Sequence, residues 1–296
     1  MKNKFRKYSA ENARHAWLFL LPALLIIGVF SVYPLFRAFI MSFQKGTMNN
    51  LVSAGLDNYK FVIKDPRFHT SLKNTALYAF TVVPISLIIS IVISLIVFEK
   101  IKFKHFFETL FFIPYLTSTI AIGVVFRYLF NSDYGIINYV LSFWGIGPVH
   151  FLTDMNLSMF TVILFGIWNG LAFNIIILLS ALRNIPRDYY KVADMFGATG
   201  SEQFFKITLP QLVPTLTFLL TVNLIGAFKV YSQVFALFNG KAGLGNSATT
   251  AVFYIYNRFH GENRYGIAMA ATMILFVIIL LVTFLQNKII KKVEGE

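Results

Sequence analysis

RNIPRDYYKVADMFGATGSEQFFKITLPQLVP, residues 183–214, interrupts an otherwise lipid-soluble chain and is its one polar segment with a helical pattern. Tyr189, Val192 and Phe196 fall three and four residues apart, so over 187–196 they share one face of a helix. Gly197 ends that helix, because glycine takes a left-handed C-terminal position without strain. Ser201 is the expected cap of a second short helix, 202–207, after which Pro210 and Pro214 are expected to break the chain. A helix, a turn and a helix result.

This arrangement leaves Phe196, Phe204 and Phe205 near a membrane surface with nothing in the segment to bury them. Either they pack under neighbouring transmembrane helices, or the helix lies in a groove on another protein. Burying one phenylalanine in such a groove contributes about 1.5–3 kcal/mol.

The segment resembles the EAA loop of binding-protein-dependent ABC importer permeases, in which Glu-Ala-Ala, three residues and Gly precede Ile-x-Leu-Pro. Lys191-Val192-Ala193, Gly197-Ala198, Phe204, Ile207 and Leu209-Pro210 stand at those positions. Lys191 replaces the usual glutamate, and Phe196 a frequent aspartate. The resemblance implies that Tyr189, Lys191, Ala193, Gly197, Ala198, Phe204, Phe205, Leu209 and Pro210 form a coupling loop that docks into a cleft of an ATPase subunit. It raises the groove reading above the packing one.

The rest of the chain is a membrane sequence. Of 296 residues, 57% are hydrophobic and only 13% charged, too little polar surface to cover a soluble globule of this size. The net charge of +13 sits beside apolar runs, so bilayer orientation explains it before nucleic-acid binding does. The absence of cysteine rules out disulfides and thiolate metal sites.

Six runs are long enough to cross a hydrocarbon core of about 30 Å: 16–36, 76–98, 106–130, 158–181, 215–238 and 265–286. The first exceeds the roughly 7–15 residues of a signal-peptide core and no small-residue cleavage site follows it, so it reads as a retained helix. The fold expected is an all-α integral membrane protein, one permease domain over residues 1–296. Lys and Arg flanking the spans divide fifteen to eight in favour of the side holding both termini and 183–214. That side is therefore cytoplasmic.

Three loops lie opposite. Residues 44–72 are polar, turn at Asp65-Pro66 and are similar to the family's first external loop, a short amphipathic segment. Residues 131–157 carry Gly135, Gly145, Gly147 and Pro148, which predicts a folded loop without long helices. The last, 239–264, opens with glycine turns and predicts a helix in its second half. A phosphate loop needs Gly, four residues, then Gly-Lys-Ser/Thr, whereas Lys241 precedes Gly243 and Gly245, so no nucleotide site is expected. With Phe235, Tyr254-Ile255-Tyr256 and Tyr265-Gly266-Ile267-Ala268, this stretch resembles the carbohydrate branch of the same permeases, without that branch's loop proline.

An ionisable side chain inside a span costs roughly 2.5–3.5 kcal/mol on insertion scales. Arg37 and Arg127 lie near helix ends, where they reach the interface. Lys229 lies two thirds along the fifth span and either snorkels outward or faces a water-filled path. Around it are Asn223, Tyr231 and Gln233, and the fourth span offers Trp168, Asn169 and Asn174. Neutral amides and aromatic rings suit a sugar, whose hydroxyls want donors and acceptors while its apolar face packs on a ring. The alternative for each is an interhelical hydrogen bond, about 0.6 kcal/mol per contact.

The leading reading is the membrane subunit of an ATP-driven importer for a sugar or oligosaccharide, with a glycerol-phosphate or an acidic saccharide as the alternative solute. The resemblance implies a heterodimer with a second permease subunit, two cytoplasmic ATPase subunits that hold ATP and Mg, and an external solute-binding protein. This chain itself would carry no catalytic residue, cofactor or metal, and touch lipid but not nucleic acid. An ion-coupled secondary transporter would use acidic or histidine residues in its spans. Beyond Glu108, at the edge of the third, the spans hold none. A membrane enzyme would need a motif such as His-Glu-x-x-His, which is absent.

Overall fold

The computed structural model describes residues 2–47, 50–100, 106, 109–110, 113 and 115–294. In chain order its elements are α1 (Lys2–Ile27), α2 (Tyr33–Ser42), β1 (Gln44–Thr47), β2 (Asn50–Ser53), α3 (Asp57–Lys64), α4 (Pro66–Lys100) and α5 (Thr119–Leu129). There follow α6 (Ile136–Ser142), α7 (Met155–Arg183), α8 (Arg187–Met195), α9 (Gly200–Gln203), α10 (Leu209–Phe228), α11 (Ser232–Leu237), α12 (Ala251–Tyr256) and α13 (Tyr265–Glu294). They form two compact units, 1–64 with 257–274, and 65–256 with 275–296.

In the first unit α1 continues into α2 through a widened turn, Gly28–Val32, in which the Tyr33 N–H reaches back to Gly28 O. Pro34 explains the widening, because its ring would strike a carbonyl one normal turn earlier and it has no N–H to give. From Trp17 to Ile40 the apolar side chains of this helix are almost all exposed, as suits contact with lipid or another chain. Antiparallel β1 and β2 add a small hairpin to the all-α expectation. Asn58 Nδ2 donates to Ser42 O and Gln44 O at 2.9 and 2.8 Å, which fastens amphipathic α3 to the end of α2. Gly266, at the start of α13, lies so close to Gln44 O that a Cβ there would overlap it.

In the second unit the most extensive packing joins α4 to α7. Ser86, Ser90 and Ser94 recur every fourth residue on α4 and are all buried, and Gly166, Gly170 and Asn174 recur likewise on α7. Small residues at this period let two membrane helices approach closely where lipid offers no hydrophobic drive between them. Phe165, Val162, Leu219, Val234, Leu237 and Phe253 fill the core around that contact.

Among the described residues five helices are long and apolar enough to cross a membrane, His15–Ser42, Pro66–Phe98, Met155–Arg183, Gly200–Phe228 and Tyr265–Ile290. The expected third span, 106–130, is interrupted at Ser118, whose extended backbone starts the shorter α5. Part of 106–116, including Glu108, and the basic residues Lys102 and Lys104 lie outside the described residues. The fifth span differs from the expected 215–238 at both ends. Pro210 falls in the first turn of α10, where its missing N–H costs nothing, so α9 runs on into α10 instead of breaking, and Pro214, also expected to break the chain, lies inside α10 without ending it. At the other end α10 stops at Phe228, and α11 is a separate short helix.

Candidate functional site

The loop 183–214 is built as a hydrogen-bonded corner. At the end of α8, Gly197 takes φ +73° and two reverse bonds close the turn, Ala198 N–H to Ala193 O and Gly197 N–H to Asp194 O, both 3.0 Å. This is the Schellman pattern that glycine serves. The cap of α9 is Thr199, not Ser201. Thr199 Oγ1 accepts from the Glu202 N–H, and the Glu202 carboxylate accepts from the Thr199 N–H at 2.9 Å. Such reciprocal bonding satisfies two free donors at once, which a serine two residues later does not do.

The Leu209 N–H reaches back to Phe204 O, so the widened turn Phe204–Thr208 precedes Pro210 as the first one precedes Pro34. Gln203 Nε2 donates to Asp194 Oδ1 at 2.6 Å, and the Tyr190 and Thr208 hydroxyls meet at 2.9 Å. Tyr190 packs with Leu182, Ile185 and Leu212. The opposite face of α8 is bare: Tyr189 and Val192 are half exposed, and Met195 and Phe196 are 86% and 87% exposed. Lys191 pairs with Asp188 at 2.8 Å on the open surface. Ala193 and Ala198 are half-buried inside the turn, Leu209 is half-buried and Pro210 exposed. Phe204 and Phe205 meet edge to face at 4.9 Å, with Phe205 exposed.

The second feature is a cavity of about 370 Å³ bordered by α4, α7 and α10 and by residues near the Ser118 break. That volume lies within the roughly 300–1,000 Å³ of small-molecule sites. Of the expected path residues, Asn169, Asn223 and Gln233 line it. Asn174 lies behind them, fully buried, and accepts from Asn223 Nδ2 at 2.7 Å. Trp168 packs on Phe126 at 5.2 Å, and Tyr231 joins Phe235 and Tyr256 at 5.5 and 5.0 Å, both away from the lining. Lys229 is the exposed C-terminal cap of α10 and does not line the cavity either.

Sequence reasoning missed Tyr78, Ser86, Tyr115, Thr117 and Thr119, which also border the cavity. Tyr115 stacks on Phe173 at 5.7 Å and gives it an aromatic wall. The four-residue spacing of Gly166 and Gly170 was the available signal. A Cβ on Gly166 would overlap Tyr78 Oη, so glycine there makes room for the phenol. Among the described residues the lining holds hydroxyls, amides and rings but no charged side chain.

The family described as binding-protein-dependent transport system inner membrane component matches residues 83–295. The arabinooligosaccharides transport system permease protein AraP of Bacillus subtilis (strain 168) is 32% identical over 294 residues, 98% of this chain and 92% of that protein. The multiple sugar-binding transport system permease protein MsmF of Streptococcus mutans is 30% identical, covering 96% of this chain and 97% of that one. Among solved structures, a bacterial ABC transporter involved in the import of the acidic polysaccharide alginate superposes with a TM-score of 0.84. It is 23% identical, and the match covers 97% of this chain and 99% of that one, which establishes a shared fold.

Proposed function

Because the chain belongs to the family of binding-protein-dependent transport system inner membrane components, we propose that it is the permease subunit of an ATP-driven importer that passes a neutral sugar or oligosaccharide across the cytoplasmic membrane. The whole chain acts as one permease domain of six spans with both termini in the cytoplasm. It pairs with a second, related permease subunit, and an external binding protein delivers the solute. Two cytoplasmic ATPase subunits bind ATP and Mg and supply the hydrolysis.

The bare apolar face of α8, held on a corner of reciprocal hydrogen bonds, carries this reading. A lever must be stiff within itself and uncovered where it meets its partner. Tyr189, Val192, Met195 and Phe196 enter the ATPase groove, while Tyr190 ties α8 to Thr208 at the start of α10 and Asp194 ties it to Gln203 of α9. The loop must bind its partner with different free energy in the two states of the ATPase, or it transmits nothing. The uncharged lining of the cavity supports a neutral solute over a glycerol-phosphate or an acidic saccharide, because a buried anion requires a paired cation.

The test is reconstitution with the partner permease and ATPase subunits in lipid nanodiscs. ATPase stimulation by sugar-loaded binding protein, abolished by Gly197→Pro in a complex that still assembles, is the expected result. Solute movement down an ion gradient by this chain with no ATPase bound would replace the proposal with a secondary transporter.

A further inference from the structure

A second cavity, of about 500 Å³, lies at the C-terminal end of α5 and is separate from the one lined by Asn169 and Asn223. Its floor is apolar, from Leu152, Leu237, Phe238 and Leu244, and Arg127 and Lys241 line it too. Arg127 is half-buried in the last turn of an apolar helix. Among the described residues neither cation has a hydrogen bond or an ion pair, and no carboxylate lines the cavity. A half-buried guanidinium that faces no anion has lost part of its hydration without compensation.

We propose that this cavity binds the headgroup of an anionic phospholipid, with Arg127 and Lys241 on the phosphate and the apolar floor under the glycerol and the first acyl carbons. The guanidinium presents a planar fork that matches two phosphate oxygens, and lysine adds a point charge. Free phosphate would satisfy the cations but leave the apolar floor in water, whereas an amphiphile covers both. The position agrees, since the end of an apolar helix is where basic side chains meet headgroups.

The experiment is native mass spectrometry of the full-length chain released from detergent with dihexanoyl phosphatidylglycerol, dihexanoyl phosphatidylcholine or glycerol phosphate. One phosphatidylglycerol should be retained in preference to phosphatidylcholine. Arg127→Gln and Lys241→Gln should each weaken that retention by about tenfold or more, and exposed Lys73→Gln should leave it unchanged. Equal retention of phosphatidylglycerol and phosphatidylcholine by the unaltered protein overturns the proposal without reliance on any variant. So does glycerol phosphate binding as tightly as the lipid, which would assign the site to a free anion, and so does retention indifferent to both substitutions.

Discussion

Asn223 Nδ2 lies 2.7 Å from Asn174 Oδ1 and joins α10 to α7 at the back of the polar cavity. Asn174 is fully buried, and its own Nδ2 has no hydrogen-bond partner among the described residues. The pair therefore holds two spans together and leaves one buried donor unspent. A double-mutant cycle of Asn174→Ala and Asn223→Ala, read by unfolding in mixed micelles, should give a coupling of about 0.6 and no more than about 1.7 kcal/mol. Additive single effects would mean that the bond contributes nothing.

Phe196 offers a separation of stability from function. At 87% exposure it packs on almost nothing in this chain, so Phe196→Ala should change stability by no more than about 0.5 kcal/mol. If the residue enters an ATPase groove, the same substitution forfeits about 1.5–3 kcal/mol of burial there. Pull-down of the ATPase by the permease should drop by tenfold or more at unchanged thermal stability. An ATPase that still binds normally removes Phe196 from the interface.

The two caps of the loop make a paired prediction. Thr199→Ala breaks the reciprocal bonding with Glu202 and should cost about 1 kcal/mol, seen as faster amide exchange over 200–204. Ser201→Ala, inside α9, should cost far less. The reverse ranking would contradict the observed cap.

How much of this was legible in the sequence depends on how local the cause is. The end of α8 at Gly197 was readable, because a left-handed residue after an amphipathic stretch has few substitutes. The Thr199 cap was legible too, since Thr-x-x-Glu spells the capping box, whereas Ser201 has no acidic partner three residues on. The fifth span starts earlier than its apolar run because Pro210, in a first helical turn, is accommodated, and Pro214 lies inside α10 without ending it. The lining of the cavity was half legible. Asn169, Asn223 and Gln233 stand out as amides in apolar runs, whereas Tyr78 and Thr119 reach the cavity only through the close approach of α4 and the break at Ser118. No periodicity encodes such contacts, which depend on several helices at once.

The last prediction concerns that close approach. A Cβ on Gly166 would overlap Tyr78 Oη and lie 2.7 Å from two ring carbons, and Tyr78 is only 3% exposed, so the ring has little room to retreat. Gly166→Ala should therefore overpack the α4–α7 contact at a cost of about 1–3 kcal/mol. Because both residues border the cavity, the displaced phenol should also narrow it and lower solute uptake, while ATPase binding through the distant loop stays intact. Tyr78→Ala removes the obstructing ring. In that background the cost of Gly166→Ala should largely vanish, as unfolding measurements on the four proteins of the cycle would detect. An undiminished cost would show that the glycine serves some contact other than Tyr78.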